Sequence, residues 1–443
     1  MINFKTFLFA ENYVILEDAH MKTHLSHLED LAIEQGKTGF NSFFTQVDQV
    51  LRKLQGFETN QQINAKIDGS PMILFGLDPR PQYKNQFFIS TKSGLNPNTP
   101  KIAHSNAEIQ KFYGQNAELA SKLTSLLTNL RDAYDNSGKI YQGDVLYAEP
   151  SDKTIVKIGE EDFIVFKPNV VVYAVPFDPK SEVSKQVQST DVGIIVHESF
   201  RGVSINEGKA IRLESLGRNI SNLISNSKHS KAFIQSSNYG ELAVNVPDKY
   251  FIDIEKLLVV IKNHISNIDD NFDKVYMTSG LLDLLKIYIN KQVDMGREGF
   301  FGKISADEEI MYDDFIENFK NFITQRYILE KQKKKTEKGR VAVEEKLTNL
   351  LGFIERHKSS FISLLEATAN MVKVKNILLQ IFSTLESKVG RTFIQMPDGT
   401  FTTTKDEGYV LFVGTNHVKI VDRLDFTKTN RQFGGKQRTK IIS

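Results

Sequence analysis

The chain has 443 residues, 40% hydrophobic and 25% charged, which is typical of a globular protein with room for two or three domains. Its 56 lysines and arginines nearly balance 54 aspartates and glutamates, so a net charge of +2 excludes a strongly basic surface overall. The absence of cysteine excludes disulfides, thiol catalysis and cysteine-ligated zinc.

No apolar stretch approaches the roughly 20 residues that a membrane span needs. Residues 1–9 contain one lysine and no small-residue cleavage site after a long apolar core, so they do not have the pattern of a signal peptide. We therefore expect a cytoplasmic protein that makes no membrane contact.

Apolar residues recur at helical spacing from about residue 20 to residue 54, with a break at residues 36–39. His20, His24 and His27 fall at positions i, i+4 and i+7 of this predicted helix. Three imidazoles could contribute to a metal site, but no further ligand is evident. A solvent-exposed helix face is the simpler interpretation.

The next part of the chain, from about residue 63 to residue 216, is rich in predicted strands. Residues 163–176 and 192–197 are β-branched and apolar, as buried strands are. A leucine-lined helix is predicted over residues 106–134. Strands interspersed with helices favour an α+β domain with mainly antiparallel sheets.

From residue 250 to residue 389 almost every segment has helical period, and glycine and proline are sparse. Residues 331–340 within this region are strongly basic. Such a run is usually a solvated helix face or loop, and contact with nucleic-acid phosphates is the alternative.

Strand signals return after residue 390. Residues 397–399 read Pro-Asp-Gly between two β-rich segments, which predicts a hairpin, and residues 414–416 predict a second one. The last residues, 432–443, are basic and are expected to form a loose tail.

Lys66, one spacer, Asp68 and Gly69 directly precede an apolar, strand-like run at residues 72–75. A lysine at a turn that enters a sheet is partly desolvated, which can lower its pKa and expose an amine nucleophile. Asp-Gly turns beside surface lysines are also common, so the interpretation depends on the rest of the chain.

Further along, predicted strands and turns carry the other groups that nucleotidyl transfer to a lysine requires. Such a reaction needs cations for the phosphate oxygens and carboxylates for a metal that neutralises pyrophosphate. The candidates are Lys92, Asp144, Tyr173, Glu407 and Lys419. No Ser/His/Asp pattern competes with this interpretation.

With these residues in this order, the chain resembles the covalent nucleotidyltransferase superfamily of ATP-dependent DNA and RNA ligases and mRNA capping enzymes. Lys66, Asp68 and Gly69 match its nucleophile motif, so the resemblance implies that Lys66 becomes adenylylated and that Asp68 and Gly69 contribute to nucleotide binding. The Ser-Thr-Lys-Ser-Gly sequence at residues 90–94 resembles the next motif, with Lys92 where the family usually has a phosphate- or ribose-binding arginine.

The later motifs resemble the family as well. Residues 143–146, Gly-Asp-Val-Leu, resemble the Asp-Gly-Glu strand and put Asp144 in the carboxylate role. Residues 170–176 resemble the strand whose aromatic ring, here Tyr173, stacks on the base. Glu407 opens a Glu-Gly-hydrophobic-Val motif. The resemblance thus implies metal-binding roles for Asp144 and Glu407 and an α-phosphate contact for Lys419.

The resemblance implies ATP and Mg²⁺ as cofactors and a nucleic-acid partner. RNA is favoured over DNA because neither an oligonucleotide-binding fold nor a basic closing motif follows. The arrangement is most similar to uncharacterised ligase-like proteins of large tailed phages, which would place the protein in the host cytoplasm.

The implied fold is an α+β, ligase-type nucleotidyltransferase domain with mainly antiparallel sheets, interrupted by an all-helical insertion that could bind substrate or a protein partner. The predicted parts are an N-terminal helical segment (1–60), the first part of the nucleotidyltransferase-like domain (61–245), the helical insertion (246–389), its C-terminal strands (390–431) and a basic tail (432–443).

Some positions depart from the family pattern. His417 replaces the first lysine of the closing motif, and Ala65 stands where RNA ligases often carry an acidic group. Glu407 follows Asp144 by 407 − 144 = 263 positions, which is unusually far. A rival placement of the fourth motif at residues 192–197 has ordinary spacing but no glutamate.

Two alternatives to an enzyme therefore stay open: a catalytically inactive phage accessory or virion-associated protein that retains the fold, and a helical interaction protein. Simpler roles for single residues also stay open. Asp144 could be a turn carboxylate, Lys92 a surface lysine and Tyr173 part of the core, while Glu407 and Lys419 could form a cross-strand ion pair.

Overall fold

A computed structural model describes residues 26–59, 61–67, 69–169, 171–217, 219–236, 246–384, 391–396, 398–403, 408–413, 416–425 and 427–428. Its helices are α1 Leu31–Leu54, α2 Asn106–Tyr113, α3 Ala117–Ala133, α4 Glu182–Ser189, α5 Ser221–Ser227, α6 Asp248–Ser266, α7 Asp270–Thr278, α8 Leu281–Asp294, α9 Phe300–Ser305, α10 Tyr312–Lys333, α11 Glu337–Arg356 and α12 Lys358–Phe382. None of the helices within these ranges has the length and apolar character to span a bilayer.

The strands are β1 Gln61–Ala65, β2 Met72–Leu77, β3 Phe87–Thr91, β4 Ile140–Tyr147, β5 Lys153–Ile158, β6 Glu161–Phe166, β7 Val172–Pro176, β8 Val192–Ile205, β9 Ala210–Gly217, β10 Ala232–Ser236, β11 Arg391–Gln395, β12 Phe401–Thr403, β13 Tyr409–Val413 and β14 Asn416–Ile420. The fold is therefore α+β, as predicted.

The described strands form three sheets, with strand orders β1-β13-β14, β10-β8-β4-β2-β3 (β9 pairs with β8) and β12-β11-β7-β6-β5. Among the described pairs only β10 and β8 run parallel, which confirms the prediction of mainly antiparallel sheets. The C-terminal strands divide between two sheets, because β11 and β12 extend the sheet of β5–β7 while β13 and β14 join β1.

The six-stranded sheet buries one face against α3. Alternate residues such as Ile73, Phe75 and Tyr141 are fully buried on that face, as period-2 patterning requires. The leucines of α3, among them Leu123 and Leu130, are fully buried and belong to the same core cluster. The predicted helix of residues 106–134 divides into α2 and α3, each begun by a side-chain N-cap.

Helix α1 does not begin at residue 20, and the prediction that His27 lies on its solvated face is wrong. His27 is extended, at φ −74° and ψ 150°, and a 3-10 turn at Leu28–Asp30 leads into α1. His20 and His24 lie outside the described residues. The predicted break is real: Gly36 has φ 56°, and a Cβ there would collide with Asp273 of α7.

The helical region shares one hydrophobic core with α1 and the three-stranded sheet. The Tyr276 hydroxyl of α7 donates a hydrogen bond to the Ile33 carbonyl of α1 at 2.7 Å. The Tyr409 hydroxyl of β13 donates to the Phe382 carbonyl at the end of α12, at 2.9 Å. Helices predicted as an insertion therefore support the strands around them, while the predicted domain boundaries stay predictions.

Candidate functional site

Lys66 follows β1 directly and remains attached to β13. Its backbone N–H donates to the carbonyl of Gly408 at 2.7 Å. Gly408 is the neighbour of Glu407, which lies outside the described residues, as does Asp68. The roles predicted for Glu407 and Asp68 stay predictions.

The register of the three-stranded sheet ends at Ala65, and the Lys66 N–H bond to Gly408 continues it by one residue, which puts Lys66 and Lys419 on one face. Asn64 is opposite Val410, and Val410 is opposite Lys419. Directly opposite residues project from the same face, and Lys66 is two positions beyond Asn64, so it also belongs to that face. Two strand spacings and two residue rises put the two lysine Cα atoms roughly 12 Å apart.

The sequence separates these two lysines by 419 − 66 = 353 positions. On the other face of the sheet Ile63, Leu411 and Val418 pack into the core, which fixes the register because a one-residue slip would bury the charged row.

The surroundings of Lys419 disfavour its charged form. Burial lowers the pKa of Lys419 below its usual value, and the charges of Arg423 and Lys66 lower it further. The half-buried ammonium of Lys419 has no ion-pair partner in the part of the chain that the structure describes. Such a group is well suited to receive an anionic ligand.

A buried network of ion pairs lies behind Lys419. Lys375 Nζ of α12 is 2.7 Å from Glu29 Oε1, and Arg423 Nη1 is 2.8 Å from Asp30 Oδ1. The other end of the Arg423 guanidinium donates to Asn290 Oδ1 of α8 at 2.7 Å. Burial raises the pKa of Asp30, although the guanidinium of Arg423 opposes that shift.

Lys419 adds a positive charge beside these two ion pairs. Lys375 pairs with Glu29 and Arg423 with Asp30, whereas Lys419 has no ion-pair partner among the described residues. The Lys419 ammonium is therefore the described group on this side of the site that can receive an anion. A phosphate group is the anion that such a cluster of ammonium and guanidinium groups can bind.

His27 is a member of this site that the sequence did not indicate. It forms a parallel bridge with Lys419, and the Lys419 N–H donates to the Ser26 carbonyl at 2.9 Å. Burial, and the charges of Arg423, Lys419, Lys375 and Lys66, lower the pKa of His27 well below 6.5. The contact between His27 and Lys419 joins residues that are far apart in the sequence, so no local sequence pattern predicts it.

The loop after Lys66 is held against the strand of Asp144. A Cβ on Gly69 would lie 2.5 Å from the Val145 carbonyl and 2.9 Å from Asp144 Cβ, so only glycine fits. The Ser70 N–H donates to the same carbonyl at 2.9 Å. Gly69 is three residues from Lys66, and three residues of extended chain span at most roughly 10 Å. The contact between Gly69 and β4 therefore keeps Lys66 close to Asp144.

The Asp144 side chain is 16% exposed, and its Oδ2 is 3.2 Å from His197 Nε2. His197 ends the stretch that offered the rival placement of the fourth motif, so that strand also contributes to the site. Within the described ranges, no group of three or more histidine, aspartate or glutamate side chains could hold a metal ion.

Lys92 and Tyr173 differ in their relation to the site. Lys92 is exposed and begins the 3-10 turn that follows Thr91, the last residue of β3. Thr91 pairs with Ile73 of β2, and the next residue of β2, Met72, pairs with Asp144. Lys92 is thus at the same end of the sheet as Asp144. Tyr173 lies in another sheet, is 2% exposed and stacks on Phe166, so its ring has no open face for a base.

The chain matches the model of a family of unknown function, DUF6267, over residues 22–434. It belongs to this family. The matched region contains every predicted site residue, from Lys66 to Lys419, together with His27 and Arg423. Comparisons with curated proteins and with solved structures give no match.

Proposed function

We propose that this protein is an ATP-dependent, RNA-ligase-like nucleotidyltransferase that works through a lysine–AMP intermediate on Lys66. The observation that carries the proposal is the shared face of Lys66 and Lys419, at the end of a sheet whose strands come from opposite ends of the chain. A half-buried ammonium without an ion-pair partner in the described structure, next to a second lysine, suits an α-phosphate and its nucleophile.

In the proposed first step the neutral Lys66 amine attacks the α-phosphorus of ATP. A P–N bond forms, the P–O bond to pyrophosphate breaks, and the amine proton passes to solvent. In the second step a terminal phosphate oxygen of the polynucleotide attacks the same phosphorus. A P–O bond of a phosphoanhydride forms, the P–N bond breaks, and the Lys66 amine leaves with a proton taken from solvent. The nucleophile in this step must be the unprotonated amine, because an ammonium group has no lone pair to donate.

The other residues have supporting roles in this proposal. Lys419 would neutralise the α-phosphate, and Lys92 would contact phosphate or ribose from the neighbouring sheet. Asp144, next to His197, is the described carboxylate that would bind Mg²⁺, and Glu407 would be the second. When bound, Mg²⁺ stabilises the charge on the leaving pyrophosphate. RNA is the proposed polynucleotide, and the exposed run at residues 331–340 is a candidate contact for its phosphates.

The proposal is tested by the intact mass of the protein after incubation with ATP and magnesium. We expect the wild type to gain the mass of AMP and Lys66→Ala to gain none. Lys84→Ala, which removes an exposed lysine outside the site, is the matched control and should be adenylylated like the wild type. Equal labelling of Lys66→Ala would reject the assignment of the nucleophile.

The second candidate is a catalytically inactive protein that retains nucleotide binding. The covered ring of Tyr173 favours it, because a base has no open aromatic surface at that position. Equal ATP affinity in the wild type and Lys66→Ala, without a covalent adduct in either, would support this alternative.

A further inference from the structure

His27 lies next to Lys419 at the edge of the three-stranded sheet. A row of paired residues runs from Asn64 through Val410 to Lys419, and the bridge between His27 and Lys419 adds a fourth position at its end. Neighbours across a sheet project from the same face. The imidazole therefore begins on the face that carries Lys419 and Lys66.

The Nδ1 atom of His27 is buried and has no hydrogen-bond partner among the described groups. Buried polar atoms in native proteins nearly always have a partner, so this atom indicates a missing one. The neighbouring groups are four cations and two carboxylates. They are Arg423, Lys419, Lys375, Lys66, Glu29 and Asp30.

Lys375 pairs with Glu29 Oε1, and Arg423 pairs with Asp30. The other oxygen of Glu29, Oε2, is also buried without a hydrogen-bond partner among the described groups, and no hydrogen bond joins it to His27 Nδ1. A neutral imidazole carries one N–H that can donate to an anion, and no described protein group takes that position at Nδ1. The surrounding cations would bring an anionic ligand, rather than a neutral one, to this nitrogen.

We propose that His27 donates a hydrogen bond to a phosphate oxygen of a nucleotide held between Lys66 and Lys419. This inference rests on the proposed function, since it concerns the same site, and it assigns a binding residue outside all the motifs of the resemblance. The ligand class is a nucleoside triphosphate or another molecule with a phosphate group.

The proposal has a consequence for pH dependence. In the free protein, burial and the four cations keep the pKa of His27 well below 6.5. A bound phosphate cancels part of that repulsion and accepts a hydrogen bond from the imidazole N–H, so it raises the pKa of His27. Between the two pKa values ATP binding takes up a proton, and affinity increases as the pH falls.

The test is isothermal titration of ATP without magnesium, near pH 6, in two buffers of different ionisation enthalpy. His27→Gln should bind ATP roughly 10- to 100-fold more weakly, as expected for a lost hydrogen bond to a charged group. His27→Gln should also take up fewer protons on binding ATP than the wild type does. Protonation of ATP itself contributes equally to both titrations, so it cancels when the two proton uptakes are subtracted. His229→Gln, at an exposed histidine, is the control and should match the wild type.

A second measurement does not require a folded variant. The chain has nine histidines, and NMR of the wild type should show one ring signal with an unusually low pKa that rises when ATP binds. The inference is overturned if no histidine pKa changes with ATP. It is also overturned if His27→Gln binds ATP with wild-type affinity and proton uptake.

The two proposals can fail separately. If ATP binds with proton uptake at His27 but no adduct forms, the enzyme assignment fails and the role of His27 stands. If His27→Gln forms the adduct at the same ATP concentrations as the wild type, the role of His27 fails and the enzyme assignment stands. Absence of ATP binding by the wild type overturns both.

Discussion

Substitution of Lys375 by methionine should destabilise the protein strongly. Lys375 lies in the middle of α12, is 3% exposed, and its ammonium is 2.7 Å from the fully buried carboxylate of Glu29. Methionine has a similar length but no charge, so Lys375→Met removes the pair and leaves the carboxylate in the core. The nearest remaining cation is Arg423, whose Nη1 is 3.7 Å from Glu29 Oε1 and already pairs with Asp30.

Breaking a buried pair by removing one partner costs about 3–5 kcal/mol, because the remaining charge is desolvated without compensation. The second contact of Glu29, with Arg423, places the expected loss near the lower end of that range. Removal of both charges in Lys375→Met with Glu29→Gln should recover much of the loss, since a neutral amide is cheaper to bury than a lone carboxylate.

The measurement is urea unfolding followed by far-ultraviolet circular dichroism, with the shift in midpoint converted to free energy through the slope. Lys373→Met is the matched control, because Lys373 lies two positions away on α12 and pairs with the exposed Asp307. An exposed pair contributes little, so this control should unfold like the wild type. A loss below about 1 kcal/mol in Lys375→Met would refute the inference that the buried pair supports the fold.

Three further predictions concern the site itself. Gly69→Ala should lose adenylylation and cost about 1–3 kcal/mol, because its Cβ would meet the backbone of β4 at 2.5 Å. Gly352→Ala, at a half-buried position of α11 where a Cβ would meet only the flexible end of Arg356 at 3.1 Å, should be neutral or stabilising in the same urea assay. Lys419→Met should weaken ATP binding roughly 10- to 100-fold by titration calorimetry, while Lys428→Met, at an exposed lysine nearby, should not. The pKa of His27 is lower in the folded chain than the usual 6.5, so the folded state binds fewer protons than the unfolded state. The free energy of unfolding should therefore rise with pH up to about 6.5. His27→Gln should show a smaller rise when urea unfolding is measured at successive pH values.

Local patterns carried most of what the sequence could predict. The leucine period of α3, the helical region and the hairpins β11–β12 and β13–β14 all depend on residues close in the chain, and each is present in the structure. These predictions are confirmed because side-chain period and turn chemistry act over a few residues.

Local patterns could not predict which strands pair when they are far apart in the sequence. Ala65 pairs with Tyr409 over 409 − 65 = 344 positions, and nothing local selects β13 as its partner rather than another strand. The family resemblance supplied that link by expecting Lys66 and Lys419 at one nucleotide. The site role of His27 was missed because a histidine beside leucines is ambiguous until the chain that covers it is known.

The buried ion pairs and hydrogen bonds also connect the helical region to the residues around Lys419. Lys375 of α12 and Asn290 of α8 hold Glu29 and Arg423, and these two residues lie directly behind Lys419. Deleting residues 250–389 would remove both partners and leave a buried carboxylate and a buried guanidinium with incomplete pairing, at a cost of several kcal/mol. Such a deletion would therefore destroy the site rather than isolate it. The helices form one wall of the proposed phosphate site, so we expect that a partner or polynucleotide that moves α12 would change the affinity for ATP.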